Sequence, residues 1–218
     1  MKPLILLNFK TYPETVGKKA LVLAKKLEKV TTKKYEVVIA PSLPTLEEVA
    51  VRTSLTVYAQ HTDLAGLGAF TGKISAQELQ KIGVKGTLLN HSERKIPFPI
   101  LRKIHSDCKK KKLITVICAS SLSEAKKVAK LKPDYLAYEP PELIGGEVSV
   151  TNAKPKVIVK AVELIHKVSA KTKVLCGAGV HSREDIQKAL ELGTQGALIG
   201  HAVPKAKDPA MFLRKLLE

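Results

Sequence analysis

A chain of 218 residues with 44% hydrophobic content is long enough to bury one large core and short for two. Its three cysteines form no C-x-x-C pair, and no apolar run approaches the ~20 residues of a membrane span, which argues against a disulfide scaffold, a thiolate metal site and a transmembrane protein. Net charge is +17, but the lysines spread over several segments and aromatics are 4% with no Trp, so the expectation is a cytoplasmic protein with solvated helix faces and an anionic substrate, with no nucleic-acid or membrane partner.

In chain order, β-prone apolar runs fall at 4–8, 35–40, 55–60, 86–90, 113–118, 134–138, 173–177 and 196–200. Helical patterns alternate with them. Val16, Ala20, Leu23, Leu27 and Val30 recur at three- and four-residue steps with lysines opposite, and Val157, Ala161, Ile165 and Val168 repeat the pattern. Ser182 with Asp185 three positions on opens a helix that turns Ile186, Ala189 and Leu190 inward and ends at Gly193. Asp208 caps the last helix, with Pro209 in its first turn.

Eight strands alternating with helices predict parallel β-α units. A repeat of roughly 27 residues predicts closure into a (β/α)8 barrel, a fold that seldom falls below ~200 residues. The expectation is therefore one barrel domain over 1–218 with some shortened helices, most compressed between 113 and 138. An open doubly wound sheet is the alternative. It normally places Gly-x-Gly-x-x-Gly after the first strand, and Asn8-Phe9-Lys10-Thr11 is not that turn.

In a barrel the strand ends share one rim, so Asn8, Lys10, Gln60, His91, Glu139, Gly179 and Gly200 become neighbours. Lys10 is then a fixed cation beside a phosphate and a developing oxyanion, and Asn8 a donor to the same oxygen. His91 is read as standing directly before a helix, whose N-terminus disfavours the imidazolium and keeps the ring neutral. Glu139, stiffened by Pro140 and Pro141, is read as a general base in a water-excluded site, with 143–146 as an apolar-tipped lid. Gly179 and Gly200 follow the seventh and eighth strands, where backbone N–H groups suit a phosphate. Each residue has an ordinary alternative (a surface lysine, a capping carboxylate, a turn glycine); their conjunction carries the weight. His105 and His166 lie within helical patterns and read as structural; His61 and His181 lie in loops and stay unassigned.

These motifs resemble the triosephosphate isomerase family over the whole length. Asn8-Phe9-Lys10 resembles its Asn-Trp-Lys motif, and Gln60 with Gly68-Ala69-Phe70-Thr71-Gly72 resembles its third-strand loop. His91-Ser92-Glu93-Arg94 and Tyr138-Glu139-Pro140 resemble its histidine and glutamate motifs. The compact length and Cys176-Gly177-Ala178-Gly179 are similar to the short archaeal form.

The resemblance implies an isomerase of glycolysis and gluconeogenesis acting on a small phosphorylated triose, without metal or organic cofactor. Glu139 would be the base, His91 the neutral proton shuttle and Lys10 the electrostatic stabiliser, with Glu93 supporting the lysine. Gly145, Gly179, Gly200 and His201 would give backbone N–H groups to the phosphate. Segment 61–75 would be an interdigitating loop with Thr71 at its tip, implying a homo-oligomer, dimer or tetramer. Departures from the family pattern are Glu147 after Gly145-Gly146, Val150-Thr151-Asn152 at the far hinge, Cys176 in place of a tyrosine, and His201 where a small residue is usual. Two other readings keep a foothold. A barrel aldolase would want a Schiff-base lysine inside a strand, and the clear strand interiors here are apolar. A basic nucleic-acid-binding protein would show steep salt dependence and no response to Glu139→Gln.

Overall fold

The computed structural model describes residues 2–30, 32–140 and 155–218. Its strands are β1 (Leu4–Asn8), β2 (Glu36–Ala40), β3 (Thr56–Ala59), β4 (Gly86–Leu89), β5 (Ile114–Ala119), β6 (Tyr135–Tyr138), β7 (Lys173–Cys176) and β8 (Gly196–Ile199). All pair in parallel, and β1 pairs with both β2 and β8, so the sheet closes into a barrel in chain order. The helices are α1 (Lys18–Glu28), α2 (Leu46–Arg52), α3 (Ala76–Lys81), α4 (Phe98–Lys110), α5 (Leu122–Ala129), α6 (Pro155–Val168), α7 (Arg183–Glu191) and α8 (Pro209–Leu217). The (β/α)8 expectation is met, each predicted strand lying within two residues of an observed one.

Strand residues alternate between two cores. Leu4, Leu6, Val38, Ala40, Leu88, Val116, Leu175 and Leu198 fill the barrel interior. Ile5, Leu7, Ile39, Val57, Leu89, Ile117 and Leu136 pack outward among the helices. Because both faces are covered, the strands read as continuous apolar runs rather than as polar-apolar alternation. Gly196 makes the closing seam possible. A Cβ there would lie 1.9 Å from the Leu4 carbonyl oxygen, and its φ of +142° suits only glycine.

The helices follow their apolar stripes, with adjustments. Helix α1 buries Ala20, Leu23, Ala24 and Leu27, but Val16 precedes the helix and is 40% exposed. In α6 the buried stripe is Ile158, Ala161, Val162 and Ile165, so Val157 and Val168 sit at its margin. Helix α7 opens with the Ser182–Asp185 capping box, and α8 with the Asp208 carboxylate accepting from Met211 N; such caps are each worth about 1 kcal/mol. Compression lies elsewhere than expected: α3 and α2 have 6 and 7 residues against 8 in α5. His91 also does not feed a helix directly. A turn closed by Arg94 N donating to the His91 carbonyl follows it, and α4 begins only at Phe98, after Pro97.

Candidate active site

The end of β1 is bent into the rim by its own side chains. Asn8 is buried, and its Oδ1 accepts from Lys10 N at 3.0 Å. Lys10 takes a left-handed φ of 49°, which costs an L-residue roughly 1–2 kcal/mol. Surrounding bonds hold it there. Gln60 Nε2 donates to the Lys10 carbonyl (3.1 Å) and the Ala40 carbonyl (2.9 Å), tying the ends of β1 and β2 together. Gln60 therefore braces the rim and does not line the cleft. Lys10 Nζ reaches Glu93 Oε1 at 2.6 Å. Burial alone would lower the lysine pKa, but the Glu93 carboxylate outweighs it and raises the pKa, so the ammonium charge is secure.

After β4, Asn90 (φ 58°) is an anchor, a role its sequence position did not reveal. Its Nδ2 donates to the Cys118 carbonyl (2.9 Å) and Glu124 Oε1 (2.8 Å), while its Oδ1 accepts from Ile96 N (2.9 Å). This pins both ends of the His91 turn. His91 Nδ1 accepts from Glu93 N at 3.2 Å, which assigns the ring proton of the neutral form to Nε2. Burial pushes the His91 pKa down, Glu93 opposes this, and Lys10 and Lys95 push it down further. What favours the neutral ring is burial, not the helix terminus, since α4 begins only at Phe98.

Glu139 follows β6, held by its N–H donating to the Ala119 carbonyl at 2.8 Å. It is 2% exposed, with Oε1 3.2 Å from His91 Nε2 and Oε2 accepting from Ser92 N at 3.3 Å. Burial raises its carboxyl to about 7; the Ser92 N–H, Lys95, Cys118 and Lys10 only partly offset this. Gly177 leaves the room: a Cβ there would stand 2.5 Å from Glu139 Cγ and 2.7 Å from the Tyr138 carbonyl. Beyond it, Gly179 takes a φ of 71°. Gly200 lies against the lysine, its hypothetical Cβ 3.3 Å from Lys10 Cε.

One cleft, with about 600 Å³ of empty space partly open to solvent, is lined by Asn8, Lys10, His91, Glu139, Gly179, Gly200 and His201. Glu93 stands outside it, in contact with Lys10 and His91. Thr71 is exposed in segment 61–75 and does not reach this cleft. Gly145, the segment 143–146, Glu147 and 150–152 lie outside the described residues. Sequence reading gave no lining role to Tyr12, Ser92 or His181; Ser92 adjoins His91 and Tyr12 lies two positions beyond Lys10, but nothing in their type gave them away. Cys108, Cys118 and Cys176 are buried free thiols. His105 is structural, bonded to the Leu131 carbonyl and Thr115 Oγ1, and His61 pairs with Asp63. Among the described strands the one lysine, Lys173, opens β7 at the end away from the rim and reaches Tyr135 Oη at 3.3 Å. That position does not suit a Schiff base facing this cleft. No cluster of His, Cys, Asp and Glu with metal-holding geometry occurs among the described residues.

The geometry suits proton transfer beside a carbonyl. A buried carboxylate titrating near neutrality can take a proton from carbon. A neutral imidazole N–H can bond the carbonyl oxygen, and a fixed ammonium can stabilise the oxyanion that develops.

Comparison with known proteins points the same way. A family model described as triosephosphate isomerase matches residues 3–216. The chain is 39% identical over 217 residues to the triosephosphate isomerase of Methanothermus fervidus, covering 99% of this chain and 98% of that protein. It is 38% identical to that of Methanocaldococcus jannaschii (99% of each chain) and 41% identical to that of Archaeoglobus fulgidus (98% and 96%).

Proposed function

Because this chain belongs to the triosephosphate isomerase family, we propose that Glu139, His91 and Lys10 carry its reaction. The protein is an isomerase that interconverts glyceraldehyde 3-phosphate and dihydroxyacetone phosphate, the family's step in glycolysis and gluconeogenesis. A glutamate base beside a neutral histidine is the pattern by which this family is known.

Glu139 takes a proton from C1 of dihydroxyacetone phosphate. Charge moves to the C2 oxygen, where the His91 Nε2–H donates. The ring then recovers a proton from the C1 hydroxyl, so the enediolate negative charge passes between the two oxygens. Glu139 returns its proton to C2, and glyceraldehyde 3-phosphate leaves. Lys10 neutralises the enediolate throughout, held by Glu93 (2.6 Å). Asn8 orients the lysine backbone. Backbone N–H groups at Gly145, Gly179, Gly200 and His201 take the phosphate. The observation that carries this reading is the buried Glu139 carboxyl, raised to about 7 and 3.2 Å from a neutral His91.

The proposal extends to assembly and place. The chain works as one barrel domain over 1–218 in the cytoplasm. It assembles as a homo-oligomer, dimer or tetramer, and Thr71 of one protomer supports the cleft of its neighbour. Exposed Leu64, Leu67 and Phe70 on the same loop support burial there by a second copy. The test is a coupled assay from glyceraldehyde 3-phosphate, following NADH consumed on reduction of the product. Wild-type turnover that Glu139→Gln lowers by about 10²–10⁴-fold supports the assignment; undiminished turnover removes Glu139 as the base.

A further inference from the structure

We propose that the imidazoles of His181 and His201 form a paired binding site for the phosphate of the triose, taking up a proton as the anion enters. The inference rests on the isomerase reading, since it adds two side chains to the same cleft. His181 follows β7 just before the Ser182 cap of α7, and His201 follows β8. Both line the cleft that holds Lys10, His91 and Glu139. Their rings stand 5.4 Å apart at a tilt of 47°. His181 Nε2 is buried and has no hydrogen-bond partner among the described residues. Folded proteins rarely leave such an atom unmatched, and an ordered water or a bound ion is among the usual complements. The proton transfers at Glu139 and His91 make no use of it.

The backbone carrying this ring is fixed. Asp185 Oδ2 accepts from His181 N at 2.9 Å and Ser182 N at 3.0 Å. The ring is therefore presented by a rigid cap.

A phosphate monoester, with its second pKa near about 6, is mostly dianionic at neutral pH and offers only acceptors. Each neutral imidazole brings one N–H, and an imidazolium brings two. Groups from several elements surround the pair. Lys10 and Tyr12 come from the segment after β1, Glu139 from the end of β6 and His91 from the end of β4. Lys205, whose Nζ lies 4.6 Å from the centre of the Tyr12 ring, comes from the segment after β8, and Asp185 from α7. Burial, and then His181, Lys10 and Lys205, hold the His201 pKa down. A dianion reverses the sign of that environment and favours the imidazolium. The proton comes from solvent to a ring nitrogen, with no covalent bond made or broken. Anion affinity then falls as pH rises through the histidine range, by up to about tenfold per pH unit for one linked proton.

Sulfate, dianionic throughout, is the probe. Its competitive inhibition constant is measured at fixed ionic strength between about pH 6 and 8.5. The proteins are wild type, His181→Ser, His201→Ser and the double variant. Because Glu139 titrates in the same range, the pH series is repeated by calorimetric sulfate binding in a Glu139→Gln background, where buffers of different ionisation enthalpy count the protons taken up. The expected wild-type constant weakens about threefold to tenfold per pH unit, and most of that slope and of the proton uptake is gone in the double variant. At about pH 6 the double variant binds sulfate about tenfold to a hundredfold more weakly, and KM for the triose phosphate rises far more than kcat falls. If the double variant is poorly folded, the single variants report the same quantities, each with part of the loss. A double variant with wild-type slope and KM overturns the pair, as does one whose kcat collapses while KM stays put. Wild-type protein without triose phosphate turnover overturns the isomerase reading instead, so the two failures are distinct.

Discussion

Glu139→Gln separates catalysis from stability. Burial lifts this carboxyl from 4.5 to about 7. The native state therefore binds the proton more tightly than the unfolded chain does. The sign is the reverse of a salt-bridged carboxylate: stability is greatest below about 4.5 and is lost as pH rises through about 7, above which the carboxyl is ionised in both states. At about 1.4 kcal/mol per pKa unit, the ionised side chain costs the fold about 3 kcal/mol above neutrality. Glutamine has the same shape and cannot ionise, so it removes that cost. Its advantage over wild type is about 1 kcal/mol at pH ~5 and about 3 kcal/mol at pH ~8. For a chain of this size the Tm difference widens by about 5–10 °C between those two pH values. Differential scanning fluorimetry at equal protomer concentration, confirmed by calorimetry, reads it directly. The same variant loses about 10²–10⁴-fold in kcat/KM. A Tm gain equal at both pH values, or larger at the acid one, refutes the argument that desolvation sets this carboxyl.

The pH profile of wild-type kcat/KM should fall about tenfold per unit below the Glu139 value of about 7, because only the ionised base reacts; a profile flat down to pH ~5 counts against it. Lys10→Gln removes the ammonium beside the developing oxyanion and should lower kcat by about 10²–10³-fold while leaving circular dichroism unchanged. Gly177→Ala forces a Cβ to 2.5 Å from Glu139 Cγ, displacing the base; steady-state kinetics should show kcat lowered about 10²-fold with a smaller change in KM. Asn90→Ala breaks three hydrogen bonds around the His91 turn and should cost about 2–4 kcal/mol in urea unfolding.

Much of the fold was legible along the chain because each element carries its own signal. The strands are buried on both faces, so they stand out as apolar runs such as 4–8 and 196–200 whatever their partners. Caps such as Ser182–Asp185 and Asp208 act within three residues and are equally local. Errors arose where neighbours set the boundary. Val16 fits the α1 period but falls before the helix, and the α6 stripe is rotated because the packing surface beneath it selects Ile158 and Val162. The lead-in from His91 to α4 looked direct, yet Asn90 holds a turn between them through partners on β5 and α5.

Eight β-α units and the residue types at their ends follow from the linear chain, since periodicity and turn chemistry act over a few positions. What those residues can do chemically depends on the closed barrel. Ring closure brings Glu139 within 3.2 Å of His91 and Lys10 within 2.6 Å of Glu93. Burial then turns an ordinary carboxyl into one that titrates near neutrality. It also put His181 beside His201, a pairing that two unremarkable loops in the sequence did not suggest. Charge state and reach depend on what surrounds a group in three dimensions, and a linear order of residues carries no dielectric and no distance.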